Sequence, residues 1–163
     1  MSESQSINWE IKSFEGLTNK ELYNILHLRA EVFIVEQNCP YQDMDGKDLY
    51  ALHLMGLDEN YKLIAYSRLL PAGVSFKEAS IGRVITSPAA RGTGAGMELM
   101  KTALQIIEDK HGKIPVRIGA QLYLKKFYER FGFAQVSEMY LEDGIEHVEM
   151  LRAADCQGNG NNK

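Results

Sequence analysis

Hydrophobic positions along the chain change their period every ten to fifteen residues, and each change predicts an element. Residues 7–14 alternate loosely and predict a strand, after which Gly16 breaks the pattern. Thr18 and Glu21 then stand at the spacing of a capping box, in which each side chain satisfies a backbone N–H of the other. The helix they open carries Leu22, Ile25, Leu26 and Phe33 at helical spacing and runs to Asn38 and Cys39, where Pro40 disfavours further helix. Arg29 falls on the same apolar stripe. Residues 41–48 are polar and acidic, and residues 52–57 and 62–70 predict a hairpin around Asp58, Glu59 and Asn60. Residues 79–86 predict a further strand, within which Gly82 marks a bulge or a close backbone approach.

Ser87 and Pro88 end that strand, and a glycine-rich segment at 91–96 leads into a helix with Met97, Met100, Ala103, Leu104 and Ile107 on one face, closed by Gly112. Residues 114–118 predict a strand. Leu124, Phe127, Tyr128 and Phe131 predict a last helix, and residues 133–141 and 147–151 predict closing strands around Asp143 and Gly144. The predicted order is β-α-β-β-β-α-β-α-β-β. This is a single α/β domain over residues 1–153, followed by a polar tail, 154–163, expected to be disordered.

Composition narrows the classes. A length of 163 residues suits one domain, and 45% hydrophobic residues suffice for a sizeable core. Eighteen Lys and Arg against 22 Asp and Glu leave a formal net charge of −4, which disfavours nucleic acid as a partner. The two cysteines, Cys39 and Cys156, form no disulfide framework. A polar, acidic start with no long apolar run predicts a cytoplasmic protein with no membrane segment. His27, His53, His111 and His147 show no paired ligand spacing, and Asp43 and Asp45 fall short of a calcium loop, so no metal is expected.

The glycine-rich segment carries the most chemistry, because a helix amino terminus with freed backbone N–H groups binds phosphate. Dinucleotide spacing fails at Met97, and the Gly-Lys-Ser/Thr ending of a nucleotide loop is absent. Arg91, Gly92, Thr93, Gly94, Ala95 and Gly96, following Gly82 to Pro88, instead resemble the R/Q-x-x-G-x-G/A motif of the GNAT acyltransferase superfamily. Phe127, Tyr128, Gly132 and Phe133 resemble its later tyrosine helix and Gly-Phe turn. Residues 28–41 and 43–48 are similar to its ElaA-type subgroup, and the resemblance spans roughly residues 7–152.

The resemblance implies a mixed, centrally splayed β-sheet flanked by helices, and an acetyl-CoA site. The pyrophosphate would rest on the N–H groups of residues 91–96, and the pantetheine arm would pair with Val84, Ile85 and Thr86. A bulge near Gly82 would leave an N–H for the thioester oxygen. Tyr128 would be the general acid for the departing thiolate, although its helical stripe equally makes it a core aromatic. The implied activity is N-acetyl transfer by direct attack of an amine carried by a small molecule or peptide, and a homodimer is left open.

The amine's proton is expected to go to ordered water or to a carboxylate such as Glu36, with His53 and His27 as lesser candidates. Arg29 needs an anionic partner, expected to be Glu36 or Asp45, and serves either a structural ion pair or the orientation of the acceptor. Asp45, with Asp43 and Asp48, would steer a cationic acceptor unless the stretch is merely a solvated loop. Two further readings remain open: a noncatalytic acyl-CoA sensor or interaction module, and another acyl transfer such as acyl-homoserine lactone synthesis.

Overall fold

The computed structural model describes residues 6–154, so Cys156 and all of the expected tail after Ala154 lie outside the described residues. Strand β1 (Asn8–Ser13) leads to helix α1 (Asn19–Arg29), capped by Thr18 and Glu21 in the expected reciprocal box. The helix then widens. Residues Ala30–Glu36 are π-helical, with the Cys39 N–H reaching back to the Ile34 carbonyl at 3.1 Å, where one longer α-helix was expected. Val32, Ile34 and Val35 are β-branched and crowd a tight α-turn, which favours the looser winding.

A 3-10 turn (Lys47–Tyr50) precedes the antiparallel strands β2 (Leu52–Leu57), β3 (Leu63–Leu70) and β4 (Ala79–Thr86). Helix α2 (Ala95–His111) crosses to β5 (Val116–Gln121), which begins two residues later than expected because Pro115 has no N–H to give a ladder. The tyrosine helix is shorter than expected: a 3-10 turn over Leu122–Leu124 and then α3 (Lys125–Glu129). The strand expected over 133–141 is two strands, β6 (Phe133–Gln135) and β7 (Tyr140–Glu142), before β8 (Ile145–Arg152). Between them the Ser137 hydroxyl accepts the Glu149 N–H at 2.8 Å, so a side chain replaces the backbone in the ladder.

The sheet runs β1-β2-β3-β4-β5-β8-β6, with β7 also on β8. Among the described residues only β4 and β5 pair in parallel. One face packs on α2 and α3 through Leu99, Met100, Ala103, Tyr128 and Phe131, and the other packs on α1 and its π-helical extension through Ile25, Leu28 and Val32. Strand β3, buried along its whole length, lies between these two cores.

Candidate active site

The site is made by two departures from regular sheet. On the β3–β4 ladder Tyr66 pairs with Ile85 and Arg68 with Gly82, so Arg83 and Val84 together oppose Ser67. This is the bulge expected near Gly82, one residue on. The extra residue shifts the side-chain alternation, and Ile81 therefore enters the α2 core while Ile85 enters the α1 core. The second departure is the splay. β4 and β5 pair only at Ala79 with Val116 and Ser80 with Arg117, then separate. A groove of about 940 Å³ opens between them, bordered by Val84, Ile85 and Thr86 on one side and Ile118, Gly119 and Gln121 on the other.

The bulge forces Arg83, a residue with a Cβ, to φ +50°, a left-handed conformation costing about 1–2 kcal/mol. Its guanidinium holds it there. Nε donates to Asp43 Oδ1 at 2.7 Å and Nη2 to the Asp43 carbonyl at 3.0 Å. Asp43 is one of three carboxylates in an ionic cluster on the α1 face, of which Asp43 and Asp48 are buried and Asp45 is exposed. Arg29, with no exposed surface, donates from Nε to Asp43 Oδ2 at 2.9 Å and from Nη1 to Asp48 Oδ1 at 2.7 Å. Arg68 grips Asp45 with both terminal nitrogens, at 2.8 and 3.0 Å, and reaches Asp48 at 3.2 Å.

This arrangement corrects two expectations. The partners of Arg29 are Asp43 and Asp48, not Glu36 or Asp45, because the 3-10 turn after Gly46 folds Asp48 back under α1. Fully buried behind the groove wall, Arg29 cannot touch an acceptor. Asp45 does border the groove, but its charge is matched by Arg68 and, at 3.5 Å, Arg83. Burial opposes its ionised form, yet the Arg68 hydrogen bonds prevail and hold the carboxyl at about 2. Three carboxylates facing three guanidiniums make the acidic stretch an ion-paired cluster.

The glycine-rich loop lies at one end of the groove, where Arg91 and Gly96 border it. Gly92 and Gly94 adopt φ +78° and +84°, and Thr93 donates its hydroxyl to the Ala90 carbonyl at 2.5 Å. Gly94 is the N-cap of α2, and no side chain caps the helix. A Cβ at Gly94 would meet nothing within 4 Å, and the first N–H groups of α2 have no side-chain cap. That combination suits a phosphate.

Tyr128 borders the same groove while packing edge-on against Phe127 and Phe133 at centroid distances of 5.2 and 6.1 Å. It is a core aromatic and a wall residue at once. Among the described residues no hydrogen bond engages its hydroxyl, and burial pushes its acidity well below that of free tyrosine, so the phenol stays protonated. Glu36 also borders the groove, at the end of the π-helical segment, but is held by Arg91 at 2.6 Å. That hydrogen bond keeps its carboxyl below the usual range, which makes it a weaker proton acceptor than expected.

His53 is wholly buried between the Tyr66 hydroxyl at 2.7 Å and the Asp48 carbonyl at 2.9 Å, and His27 is exposed on α1, so neither faces the groove. The remaining wall was not expected. Tyr140, Glu142 and His147, from β7 and β8, border the groove opposite the bulge. Arg68 and Arg83 were also missed, although an arginine inside the otherwise apolar run of β3 was a readable signal.

The model of the GNAT acetyltransferase domain matches residues 20–153, an interval holding the bulge, the splay, the glycine loop and Tyr128. The chain belongs to the GNAT acetyltransferase family. Protein ElaA of Escherichia coli is 44% identical over 148 residues, covering 90% of this chain and 96% of its own, and its crystal structure matches with a TM-score of 0.84. The crystal structure of an acyl-CoA N-acyltransferase from Pseudomonas aeruginosa is 48% identical, with a TM-score of 0.86 over 91% of this chain and all of its own. The ElaA-type resemblance therefore stands, as does the mixed, open sheet expected of this GNAT family. No helix of the described residues is long and apolar enough to cross a membrane.

Proposed function

We propose that the protein transfers an acetyl group from acetyl-CoA to an amine by direct attack. The observation that carries this is the groove, where a sheet opened between β4 and β5 ends at an uncapped, glycine-led helix. In this reading the N–H groups at the start of α2, in residues 91–96, hold the pyrophosphate. The freed edge of Val84, Ile85 and Thr86 pairs with the amides of the pantetheine arm as a strand would. Acetyl-CoA supplies an activated thioester, and the bulge at Arg83 turns a backbone N–H toward the developing oxyanion. Tyr128 then gives its proton to the departing thiolate.

Cys39 does not favour a covalent route. It borders the groove, but its thiol donates to the Asp143 carbonyl at 3.3 Å instead of being activated by a base. Most of the rate then comes from positioning and from oxyanion stabilisation. The test is calorimetric binding of acetyl-CoA, then release of free thiol in the presence of a panel of primary amines. Product masses corresponding to the N-acetylated amine are expected. Binding without thiol release would identify a sensor, and a lactone product would identify acyl-homoserine lactone synthesis.

A further inference from the structure

The acyl-transfer reading leaves the β7–β8 wall without a task. These strands meet at the turn formed by Asp143 and Gly144, and Tyr140 pairs with His147 across the ladder. On the other side of β8, His147 stands opposite Gln121 and Glu149 opposite Gly119, in the half of β5 that has left β4. His147 thus sits at the mouth of the splay and borders the groove.

The ring is oriented on three sides. Nδ1 lies 2.7 Å from the Ile145 carbonyl oxygen, and a carbonyl has no proton to offer, so Nδ1 carries the hydrogen. In the neutral ring Nε2 is therefore the lone pair. Nε2 lies 3.3 Å from Glu142 Oε2, and the Tyr140 ring stacks on the imidazole at 5.9 Å and 25°. Tyr140 is itself positioned by Gly119, where a Cβ would lie 3.2 Å from its hydroxyl. Both polar partners of His147 are acceptors, so both favour the ring after it has gained a proton.

We propose that His147 is the general base that takes the proton from the acceptor's ammonium group, with Glu142 as the positioning carboxylate that stabilises the resulting imidazolium. The proposal rests on the acetyltransferase reading above. The proton balance is direct. An ammonium N–H bond breaks and Nε2 gains the proton, the free amine forms the C–N bond, and the C–S bond breaks to give the thiolate. Tyr128 gives its proton to the thiolate, the second proton of the attacking nitrogen passes through water to restore the Tyr128 phenol, and His147 returns its proton to water. Glu36, engaged by Arg91, is thereby left at the cofactor end of the groove.

The titratable groups around His147 are few among the described residues. β7 contributes Glu142 and Tyr140. β8 contributes Glu149, which is paired with Arg117 of β5 at 3.3 Å, and Cys39 approaches the turn through the Asp143 carbonyl. Loss of rate on acidification, through protonation of the base, is the limb that reports on His147.

Two measurements decide the matter. Nitrogen-15 spectra of the full chain, with His147→Gln to assign the signal, should show the Nδ1–H tautomer of neutral His147. An Nε2–H tautomer would overturn the proposal whether or not turnover is observed. In thiol-release assays, His147→Gln should lower kcat/KM for an alkylamine of pKa ~10.4 by about 10²–10⁴-fold at pH 7. The loss should be much smaller for a peptide α-amine of pKa ~8, a fraction of which arrives already neutral. The exposed Glu142→Gln, which leaves the fold intact, should move the rate limb to lower pH. Equal losses for the two amines, or an unmoved limb, would refute the role. Parent protein that binds acetyl-CoA but acetylates no amine would instead sink the acetyltransferase reading, with the tautomer still deciding the placement of the ring.

Discussion

Arg29→Met tests whether the buried ionic cluster holds the site together. Methionine keeps the apolar stem of Arg29 but removes the donors to Asp43 (2.9 Å) and Asp48 (2.7 Å). Breaking a buried pair on one side costs about 3–5 kcal/mol, because the surviving charge stays buried. The lower end applies here, since Asp43 keeps Arg83 and Asp48 keeps Arg68. At about 2–4 °C per kcal/mol for a domain of this size, the melting temperature should fall by roughly 6–12 °C for a loss of about 3 kcal/mol. Urea unfolding and scanning calorimetry at pH 7 measure both quantities. The double variant Arg29→Met with Asp48→Leu should recover part of the loss, because the stranded carboxylate is gone. A loss below about 1 kcal/mol would show that the cluster behaves like a set of exposed ion pairs and would refute the reasoning.

Three further outcomes follow from the site. Gly94→Val places a branched side chain at φ +84° in the open space beside the start of α2, and acetyl-CoA affinity should fall more than tenfold by calorimetry, or over ~1.4 kcal/mol. Tyr128→Phe removes a hydroxyl with no protein partner among the described residues, so melting should be unchanged while turnover falls by about 10²-fold or more; equal rates would return Tyr128 to the core alone. Asp45, held at about 2 against an unfolded value near 3.9, contributes stability that is complete above about pH 5 and lost as pH falls toward 2; Asp45→Asn should flatten the stability curve in that window, and an unchanged slope would contradict the Arg68 pairing.

The parts of the fold that were legible in the sequence are those set by local rules. The Thr18 and Glu21 box, the hairpin around Asp58 and the glycine start of α2 each follow from a backbone requirement that a few residues meet. Element ends were less legible where a side chain took over a backbone role, as Ser137 does between β6 and β7. The strand, turn and helix start from Val84 to Gly96 that border the groove were legible for the same reason, because they are one continuous stretch. The opposite wall was not. Tyr140, Glu142 and His147 reach the groove only because β8 inserts between β5 and β6, a pairing that no periodicity within the strand reveals.

Arg29 and Asp45 show that a local signal does not reveal its partners. Each was correctly marked as unusual, one as a charge on an apolar stripe and the other as part of an acidic run, but charge along a sequence does not say which charges meet. Three aspartates spaced two or three residues apart become neutral in aggregate once α1, β3 and β4 each bring an arginine to them. The same pairing gives the cluster its functional meaning. Arg83 is the bulge residue and Asp43 holds both Arg83 and Arg29, so the ions that make the acidic loop structural also fix the backbone conformation from which the groove opens. A bulge at φ +50° persists only when its surroundings determine it, and here two half-buried hydrogen bonds from one guanidinium to a single aspartate do so. Stability of the α1 face and geometry of the groove are thus one property of this chain, and a variant that weakens the first is expected to loosen the second.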